Sequence, residues 1–338
     1  MDRPTPDPRA TGSPTPTVPS VRGPVPVTEL GVTLMHEHVF VLSSEFVQND
    51  SRLFDEERRV DDAVRRLSLA VDRGVRTLVD LTALGQGRYV PRVARVAARV
   101  DLNILVATGV YTFHDEPFHY FFRGPGRLFD GPDPMTETFV REIVDGIDDT
   151  GIRPAMLKCA TENAELSPGV DRVLRAVAQA HRQTGVPIST HSNAMVRNGL
   201  EQQRVLAEEG VDLSRVVIGH SGDSSDLDYL RRLMDAGSSI GMDRFGMDMI
   251  TPHDERVRIV AELVAQGYTD QMVLSHDCPC FIDFFTEQQR HDAMPDWDYT
   301  HLHDRVLPAL RARGVTDEQL TTMLVDNPRR ILSTTTSY

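Results

Sequence analysis

The sequence predicts an α/β protein whose single domain is a (β/α)8, or TIM, barrel. Short apolar segments rich in β-branched residues recur along the 338 residues, and each is followed by a longer amphipathic helical pattern. These segments are apolar along most of their length, as expected of parallel strands covered on both faces. Eight such repeats without a second-domain signature favour a closed barrel over an open doubly wound sheet, which stays the structural alternative.

Helices and strands alternate in a regular order. The helical patterns at 171–185, 201–210 and 226–237 each end on glycine, which is favoured where a helix stops because it adopts left-handed backbone angles. In chain order, the predicted strands are 32–38, 76–82, 103–111, 155–160, 187–193, 216–221, 238–245 and 272–278.

The first 22 residues differ in composition from the rest. They are rich in Pro, Ser and Thr and lack the apolar stretch of a secretory signal. We therefore expect a disordered tail at 1–22, a barrel domain at 23–338 and a cytoplasmic protein. No apolar run approaches the roughly 20 residues that cross a bilayer, so no membrane association is expected.

Charge and cysteine content narrow the class of protein further. The net charge of −14 argues against nucleic acid as a partner, because phosphate binding draws on clusters of cations. Cys159, Cys278 and Cys280 do not form a disulfide framework, and we expect all three to be reduced. A small molecule is the expected partner.

Histidines fall at the C-terminal ends of predicted strands, which is where function collects in a barrel. His36 and His38 are two residues apart on a strand and so point to one face, either as metal ligands or as a hydrogen-bonded pair. His191 and His220 each follow an apolar strand, and either one alone is more often a structural histidine. Together with Asp277 the four histidines converge on one small volume, which favours a bound divalent cation.

Lys158 lies inside an apolar strand, where a buried ammonium group is costly. One interpretation is a lysine whose charged head reaches the rim of the barrel. The other is that burial favours the neutral amine, which reacts with CO2 to give a carbamate. The two oxygens of a carbamate are suited to bridging two metal ions.

Several motifs, in this order, resemble those of the phosphotriesterase family in the amidohydrolase superfamily. The resemblance extends over about residues 25–332. Its motifs are GVTLMHEH (31–38), MLKCA (156–160), STHSNA (189–194), GHSGDSSD (219–226), LSHD (274–277) and NPRRIL (327–332).

The resemblance implies a binuclear metal centre. His36, His38 and Asp277 would hold the buried ion, and His191 and His220 the more exposed one. Lys158, as N6-carboxylysine, and a hydroxide would bridge them. Two divalent ions per subunit are expected, zinc first, with cobalt, manganese and iron as alternatives that suit the same ligands. A homodimer is expected from the resemblance alone.

Within the family, the sequence resembles the phosphotriesterase-like lactonases most. The residues that carry this are Arg244 in GMDRFGMD (241–248), Tyr111 in GVYTF (109–113) and the segment HSNAMVRNGLEQQ (191–203). The resemblance implies hydrolysis of N-acyl-homoserine lactones, hence quorum quenching, by attack of the metal-bridging hydroxide. A weak promiscuous organophosphate triesterase activity is also expected.

Roles follow for four residues, three of them with an alternative. Asp277 would accept the proton of the attacking hydroxide, and Asp223 would pass it outward or else cap a helix at 224–236. Tyr111 would position the lactone carbonyl or the bridging water, or pack on Phe113. Arg244 would bind substrate, or tie the loop after strand 7 to an acidic neighbour.

Other functions remain open on the sequence alone. A dedicated phosphotriesterase (aryldialkylphosphatase) or a hydrolase of other lactones or amides would use the same ligands. A binding protein with structural metals and a phosphate-binding aldolase or isomerase barrel rank lower. The segment 280–300, aromatic and with few regular signals, is interpreted as a loop that covers the substrate.

Overall fold

A parallel barrel forms the centre of the computed structural model, which describes residues 15–333 and 336–338. One nine-stranded parallel sheet contains all eight predicted strands in sequential order. Its strands are β1 (Val32–Val41), β2 (Val75–Asp80), β3 (Asn103–Gly109), β4 (Met156–Ala160), β5 (Ile188–His191), β6 (Val216–Ile218), β7 (Ser239–Met242), β8 (Met272–Leu274) and β9 (Pro279–Ile282).

The sheet closes on itself between its last and first strands. β9 continues the chain from β8 and pairs in parallel with β1, so that Pro279 lies opposite His38. The backbone N–H of Asp277 donates to the carbonyl of His36 at 3.0 Å, and that of His38 donates to the carbonyl of Cys278 at 3.2 Å. The predicted closed barrel is therefore confirmed over the open sheet.

Helices cover the outside of the barrel. The three helices predicted around 171–185, 201–210 and 226–237 are all present, each one to three residues from the expected bounds. The α-helices are α1 (Ser44–Asn49), α2 (Glu56–Val71), α3 (Val90–Ala97), α4 (Phe118–Phe121), α5 (Pro134–Asp145), α6 (Pro168–Thr184), α7 (Gly199–Glu208), α8 (Leu227–Asp235), α9 (His253–Ala265), α10 (Glu287–Ala293), α11 (Leu307–Ala312), α12 (Asp317–Thr321) and α13 (Asn327–Leu332). π-helical turns at Leu302–Val306 and Thr322–Asp326 precede α11 and α13.

Helix α6 shows how the sequence sets these boundaries. The Ser167 side chain accepts the N–H of Val170, and Pro168 fits the first turn because its missing N–H needs no partner there. At the other end Gly185 takes a left-handed φ of 74° and donates its N–H to the carbonyl of His181. The buried stripe of valine, leucine and alanine between these ends packs against the barrel.

The apolar core has two layers. Neighbouring residues of one strand, such as Leu78 and Val79, belong to different buried clusters, because successive side chains point to opposite faces. The larger cluster lies between strands and helices. The smaller one joins strand residues to Val18, Ile331 and Leu332, so the N-terminal segment and α13 cover one end of the barrel interior.

The expected disordered tail at 1–22 is wrong for residues 15–22. Thr17–Val18 pairs antiparallel with Val25–Pro26, and the N–H of Val21 donates to the carbonyl of Ile104 at 2.9 Å. The physical reason is that Val18 and Val21 are buried against the barrel, which outweighs the surrounding prolines. The ordered domain thus begins before residue 23, and the rest of the predicted tail, 1–14, lies outside the described residues.

The segment 280–300 is more regular than expected, since it holds most of β9 and the whole of α10, whose first turn is closed by a capping box between Thr286 and Gln289. Among the helices of the described residues, none has the length and apolarity needed to cross a membrane.

Candidate metal centre

All six predicted ligands line one cavity of about 200 Å³ at the C-terminal ends of the strands. β1 supplies two of them, β4 and β5 one each, and the segments after β6 and β8 the last two. Every one of these side chains is buried. The six are His36, His38, Lys158, His191, His220 and Asp277.

The buried half of the centre is grouped around Asp277. Its Oδ1 lies 3.5 Å from Nε2 of His36 and 3.2 Å from Nε2 of His38, while its Oδ2 lies 3.7 Å from Nε2 of His220. Ligand atoms of His36, His220 and Asp277 all fall within 4.8 Å of one another. These nitrogens and oxygens lie close enough together that they could hold one divalent ion.

The more exposed half contains His191 and His220. Their rings are 4.5 Å apart between centroids, and Nδ1 of His191 lies 3.3 Å from the hydroxyl of Tyr111. His220 has a left-handed φ of 60° and Asp277 one of 54°, conformations that are costly for residues with a side chain. The chain accepts this strain at both positions where a ligand must be turned into the cavity.

The protonation states suit metal binding. Burial lowers the pKa of His36 and of His191 to about 4, and lowers that of His220 well below its usual range. Burial alone would raise the pKa of Asp277, but the neighbouring His220 and Arg244 outweigh it and hold that pKa well below its usual range. Neutral imidazoles and an ionised carboxylate are the forms that a metal ion requires.

Lys158 is fully buried, with its Nζ 2.9 Å from Nε2 of His36. The interpretation of a lysine reaching the rim is therefore wrong, because the amine ends inside the ligand cluster. Burial lowers its pKa to about 8, so roughly a tenth of the amine is neutral at pH 7. Only the neutral amine can form a carbamate, and this position provides it.

Carboxylates behind the histidines were missed by the sequence reasoning. Asp243, fully buried just after β7, lies 2.9 Å from Nδ1 of His36 and 3.0 Å from Nδ1 of His220. Burial raises its pKa, but His36 and Arg244 outweigh burial and the carboxyl pKa is lowered overall. Its position at a strand end, next to Arg244, was the available signal.

The other two histidines have their own supports. Nδ1 of His38 lies 2.8 Å from the hydroxyl of Thr82, which donates to Asp80 at 2.6 Å. Nε2 of His191 lies 2.9 Å from Glu162, whose pKa this hydrogen bond lowers. Such partners fix the tautomer of a ligand histidine and its ring orientation.

Glu37, between the two histidines of β1, serves the closure of the barrel. Its carboxylate accepts the backbone N–H groups of His276 and Cys278 at 2.9 and 2.8 Å, and lies 2.7 Å from Nδ1 of His276. It is fully buried, and burial raises its pKa. Glu37 therefore fixes the backbone on both sides of Asp277.

Arg244 makes the acidic tie that was one of its two predicted roles. Its Nε donates to Asp277 Oδ2 and its Nη1 to Asp223 Oδ2, both at 2.9 Å. Asp223 also accepts from the buried Arg256 at 2.7 Å. The alternative of Asp223 as a helix cap is wrong, because Asp226 caps α8 by accepting the N–H of Tyr229.

Tyr111 packs on Phe113, which was one of its two predicted roles, and its hydroxyl lies at the cavity. Its ring packs on Phe113 at 4.9 Å between centroids, while its hydroxyl points to His191. Burial, together with the charge of Asp277, raises the pKa of Tyr111, so the phenol keeps its proton at neutral pH. It is thus a hydrogen-bond donor at the edge of the cavity.

One wall of the cavity is apolar. The segment predicted to cover the substrate contributes most of it, through side chains of β9, the residues after it and the segment following α10. The wall is formed by Val41, Met247, Pro279, Ile282, Phe284, Phe285 and Trp297.

The donor set fits a pair of divalent ions. Four imidazoles, one carboxylate and one lysine that can be carboxylated face a shared cavity, and each histidine has an oxygen partner behind it. Buried polar groups gathered in this way are costly unless they are paired, and metal ions would pair them.

Comparisons with known proteins agree on one family. The sequence profile of the Phosphotriesterase family matches residues 16–332. A phosphotriesterase homology protein of Mycobacterium tuberculosis is 58% identical over 320 residues, 94% of this chain and 98% of that relative. An aryldialkylphosphatase of Saccharolobus solfataricus is 36% identical over 307 residues, 90% of this chain and 96% of that relative. A solved structure, described as the phosphotriesterase from Mycobacterium tuberculosis, has a TM-score of 0.94 at 57% identity and covers 96% of this chain and 100% of that one.

Proposed function

The chain belongs to the phosphotriesterase family, and from that premise we propose that it is a metal-dependent hydrolase that opens lactone rings, N-acyl-homoserine lactones among them. The observation that carries the proposal is the convergence of all six ligand side chains on one buried cavity. Divalent ions bound there would lower the pKa of a water and polarise the ester carbonyl. The following roles belong to the protein's own residues.

Asp277 provides the base. It is ionised and its Oδ1 faces the histidine cluster, so it can accept the proton that the attacking water loses. Its Oδ2 is held by Arg244, which keeps the carboxylate in one orientation. Asp277 thus acts both as a ligand and as the proton acceptor.

Asp223 acts on Arg244. The sequence predicted that Asp223 passes the proton outward, but the Arg244 guanidinium lies between the two carboxylates and has no site that accepts a proton. Asp223, held in turn by the buried Arg256, instead keeps Arg244 against Asp277. We propose this positioning role in place of a proton relay.

The support for a lactone lies in the walls of the cavity. Tyr111 carries a donor that can bond the ring carbonyl, and the aromatic side chains after β9 offer an apolar surface for an acyl chain. A space of about 200 Å³ admits a small lactone ring, whose reacting carbon is trigonal, more readily than a triester with three substituents on tetrahedral phosphorus.

A weaker phosphotriesterase activity is the second candidate. The relative at 36% identity is named aryldialkylphosphatase, and the same attacking group can act on phosphorus. The ligand set is therefore compatible with both reactions, and the ratio of rates decides which substrate the cavity favours.

The test is a substrate panel on protein whose metal content has been measured. We expect kcat/KM for a long-chain N-acyl-homoserine lactone to exceed that for paraoxon at least about tenfold, a difference of about 1.4 kcal/mol in transition-state binding. Faster hydrolysis of a δ-lactone would indicate a lactonase of another specificity, and faster hydrolysis of an N-acyl amino acid would indicate an amidase. Asp277→Asn should lose nearly all activity on every substrate, and a higher kcat/KM for paraoxon would reject the lactonase assignment.

Metal identity, assembly and location complete the proposal. We propose zinc in the cytoplasmic enzyme, and a homodimer. Exposed aromatic side chains such as Phe46, Phe118 and Phe284 support an interface between copies, since apolar surface of this kind favours burial. Elemental analysis of the purified protein tests the metal, and light scattering tests the homodimer.

A further inference from the structure

Asp243 lies outside the predicted ligand set, yet its carboxylate contacts two of the predicted ligand histidines. Its Oδ2 lies 2.9 Å from Nδ1 of His36, and its Oδ1 lies 3.0 Å from Nδ1 of His220. The two rings lie side by side, 4.6 Å apart between centroids. In the proposed centre these two histidines belong to different metal positions. Asp243 therefore contacts one ligand of each position, on the Nδ1 side of the ring.

Asp243 also fixes the backbone of His220. Its Oδ1 accepts the backbone N–H of His220 at 2.9 Å, in addition to the contact with the ring. His220 needs such a restraint because its φ of 60° is unfavourable for a residue with a side chain. One carboxylate therefore determines both where the His220 side chain starts and how its ring is turned.

The surrounding chain leaves room for this carboxylate. A Cβ added to Gly241 would lie 2.1 Å from Asp243 Oδ2, and one added to Gly219 would lie 3.1 Å from Cε1 of His36. Any side chain at Gly241 would push the carboxylate away from His36. The glycines on β7 and after β6 thus form a site shaped for Asp243 and its two partners.

We propose that Asp243 couples the two metal positions. By accepting the Nδ1–H of His36 and of His220 together, it directs the Nε2 lone pairs of both rings into the cavity before any ion binds. Both ions, and not one of them, then depend on this side chain. The inference rests on the proposed function, because it assigns the two histidines to two ions.

The other supports provide matched controls. Asp80 acts through Thr82 on His38 alone, and Glu162 acts on His191 alone. Like Asp243→Asn, the variants Asp80→Asn and Glu162→Gln each replace a carboxylate that supports a predicted ligand histidine by the corresponding amide. The three variants therefore differ in how many metal positions lose a support.

The experiment is a titration of metal-free protein with Co²⁺, followed by its visible absorption and by elemental analysis. Loss of such a support weakens metal binding about 10–100-fold. We expect Asp243→Asn to weaken the binding of both ions by at least about tenfold. Each control variant should weaken the binding of one ion only. Circular dichroism verifies that each variant is folded, and Asp243→Glu, with a displaced carboxylate, replaces Asp243→Asn if the latter does not fold.

The outcomes separate this inference from the proposed function. A folded Asp243 variant that keeps wild-type affinity for either ion would overturn the coupling while leaving the lactonase proposal intact. Wild-type protein that fails to bind two ions would overturn both. Lactone hydrolysis by wild-type protein with two bound ions, together with weakening of both ions in Asp243→Asn, supports both.

Discussion

At the scale of single residues, Lys158 has the most unusual surroundings. Its amine is fully buried, touches His36 and has a pKa of about 8, whereas an ordinary lysine is charged and exposed. Burial therefore costs the cation its hydration, and among residues 15–333 and 336–338 no carboxylate forms an ion pair with it. Carboxylation of the neutral amine, as proposed, would replace this cation by an anion whose two oxygens suit two metal ions.

Removal of the Lys158 amine tests that role. Lys158→Ala should lose the metal pair and nearly all lactone hydrolysis, because no bridging anion remains. Adding a short carboxylic acid such as propionate should restore part of the activity, since its carboxylate fits the vacated space. Full activity of Lys158→Arg, whose guanidinium forms no carbamate, would contradict the bridge.

The sequence predicts the ligands better than their partners. The six predicted ligands all lie within predicted strands, five of them near the C-terminal end and Lys158 inside one, so strand position was enough to bring them together: His36, His38, Lys158, His191, His220 and Asp277. Asp243, by contrast, is 207 residues from His36 along the chain, and only the closed barrel brings them within 2.9 Å. Glu162 and Thr82 were not predicted for the same reason. Contacts between residues that are distant in sequence leave no spacing pattern.

At the scale of elements, regular strands and helices were predictable and the irregular ones were not. β1 to β8 fall within segments that are rich in apolar and β-branched residues, which patterning detects. β9 is four residues long and begins with proline, so it gives no periodic signal. For α10, the Thr286 and Gln289 spacing of a capping box was a usable signal within a segment otherwise interpreted as loop.

The π-helical turn Leu302–Val306 gives a prediction about pH. It contains His303, whose buried Nδ1 has no hydrogen-bond partner among the described residues, and burial lowers the pKa of His303 to about 4. Between pH 6.5 and 4 the unfolded chain binds a proton that the native chain does not, so stability falls as the pH falls. The slope from this residue is at most about 1.4 kcal/mol per pH unit, less because the ring is partly exposed.

Chemical denaturation of metal-free protein measures this slope. His303→Gln should show a smaller loss of unfolding free energy between pH 6.5 and 5 than wild type. Above pH 7 the unfolding free energies of the two proteins should depend on pH in parallel. The reason is that the His303 ring is largely neutral there in both the folded and the unfolded chain. If the unfolding free energies of wild type and His303→Gln change with pH at the same rate below pH 6.5, His303 binds protons equally in the folded and unfolded chains and the prediction is wrong.

At the scale of the whole molecule, the N-terminal segment is part of the barrel. Composition predicted disorder up to residue 22, and it could not reveal that Val18 and Val21 lie against the strand ends, since two valines among prolines form no pattern. The segment covers the end of the barrel opposite the candidate metal centre. Its contribution should therefore be to stability and not to ligand geometry.

Two shortened chains test this contribution. A chain that begins at residue 23 should be less stable than one that begins at residue 15 by about 3 kcal/mol, because the burial of Val18 and Val21 is lost. Both should bind metal with the same stoichiometry. Equal unfolding free energies in urea would show that the pairing of Thr17–Val18 with Val25–Pro26 adds nothing.

The seam where β1 meets β8 and β9 also has an evolutionary consequence. The same few residues close the barrel and present His36, His38 and Asp277, so a substitution there is selected twice, once for folding and once for chemistry. Inherited variation can accumulate far more freely in the aromatic segment after β9, which forms a cavity wall and does not carry the ligands. New substrates within this lineage should therefore arise by exchange of that wall, while the seam is passed on almost unchanged.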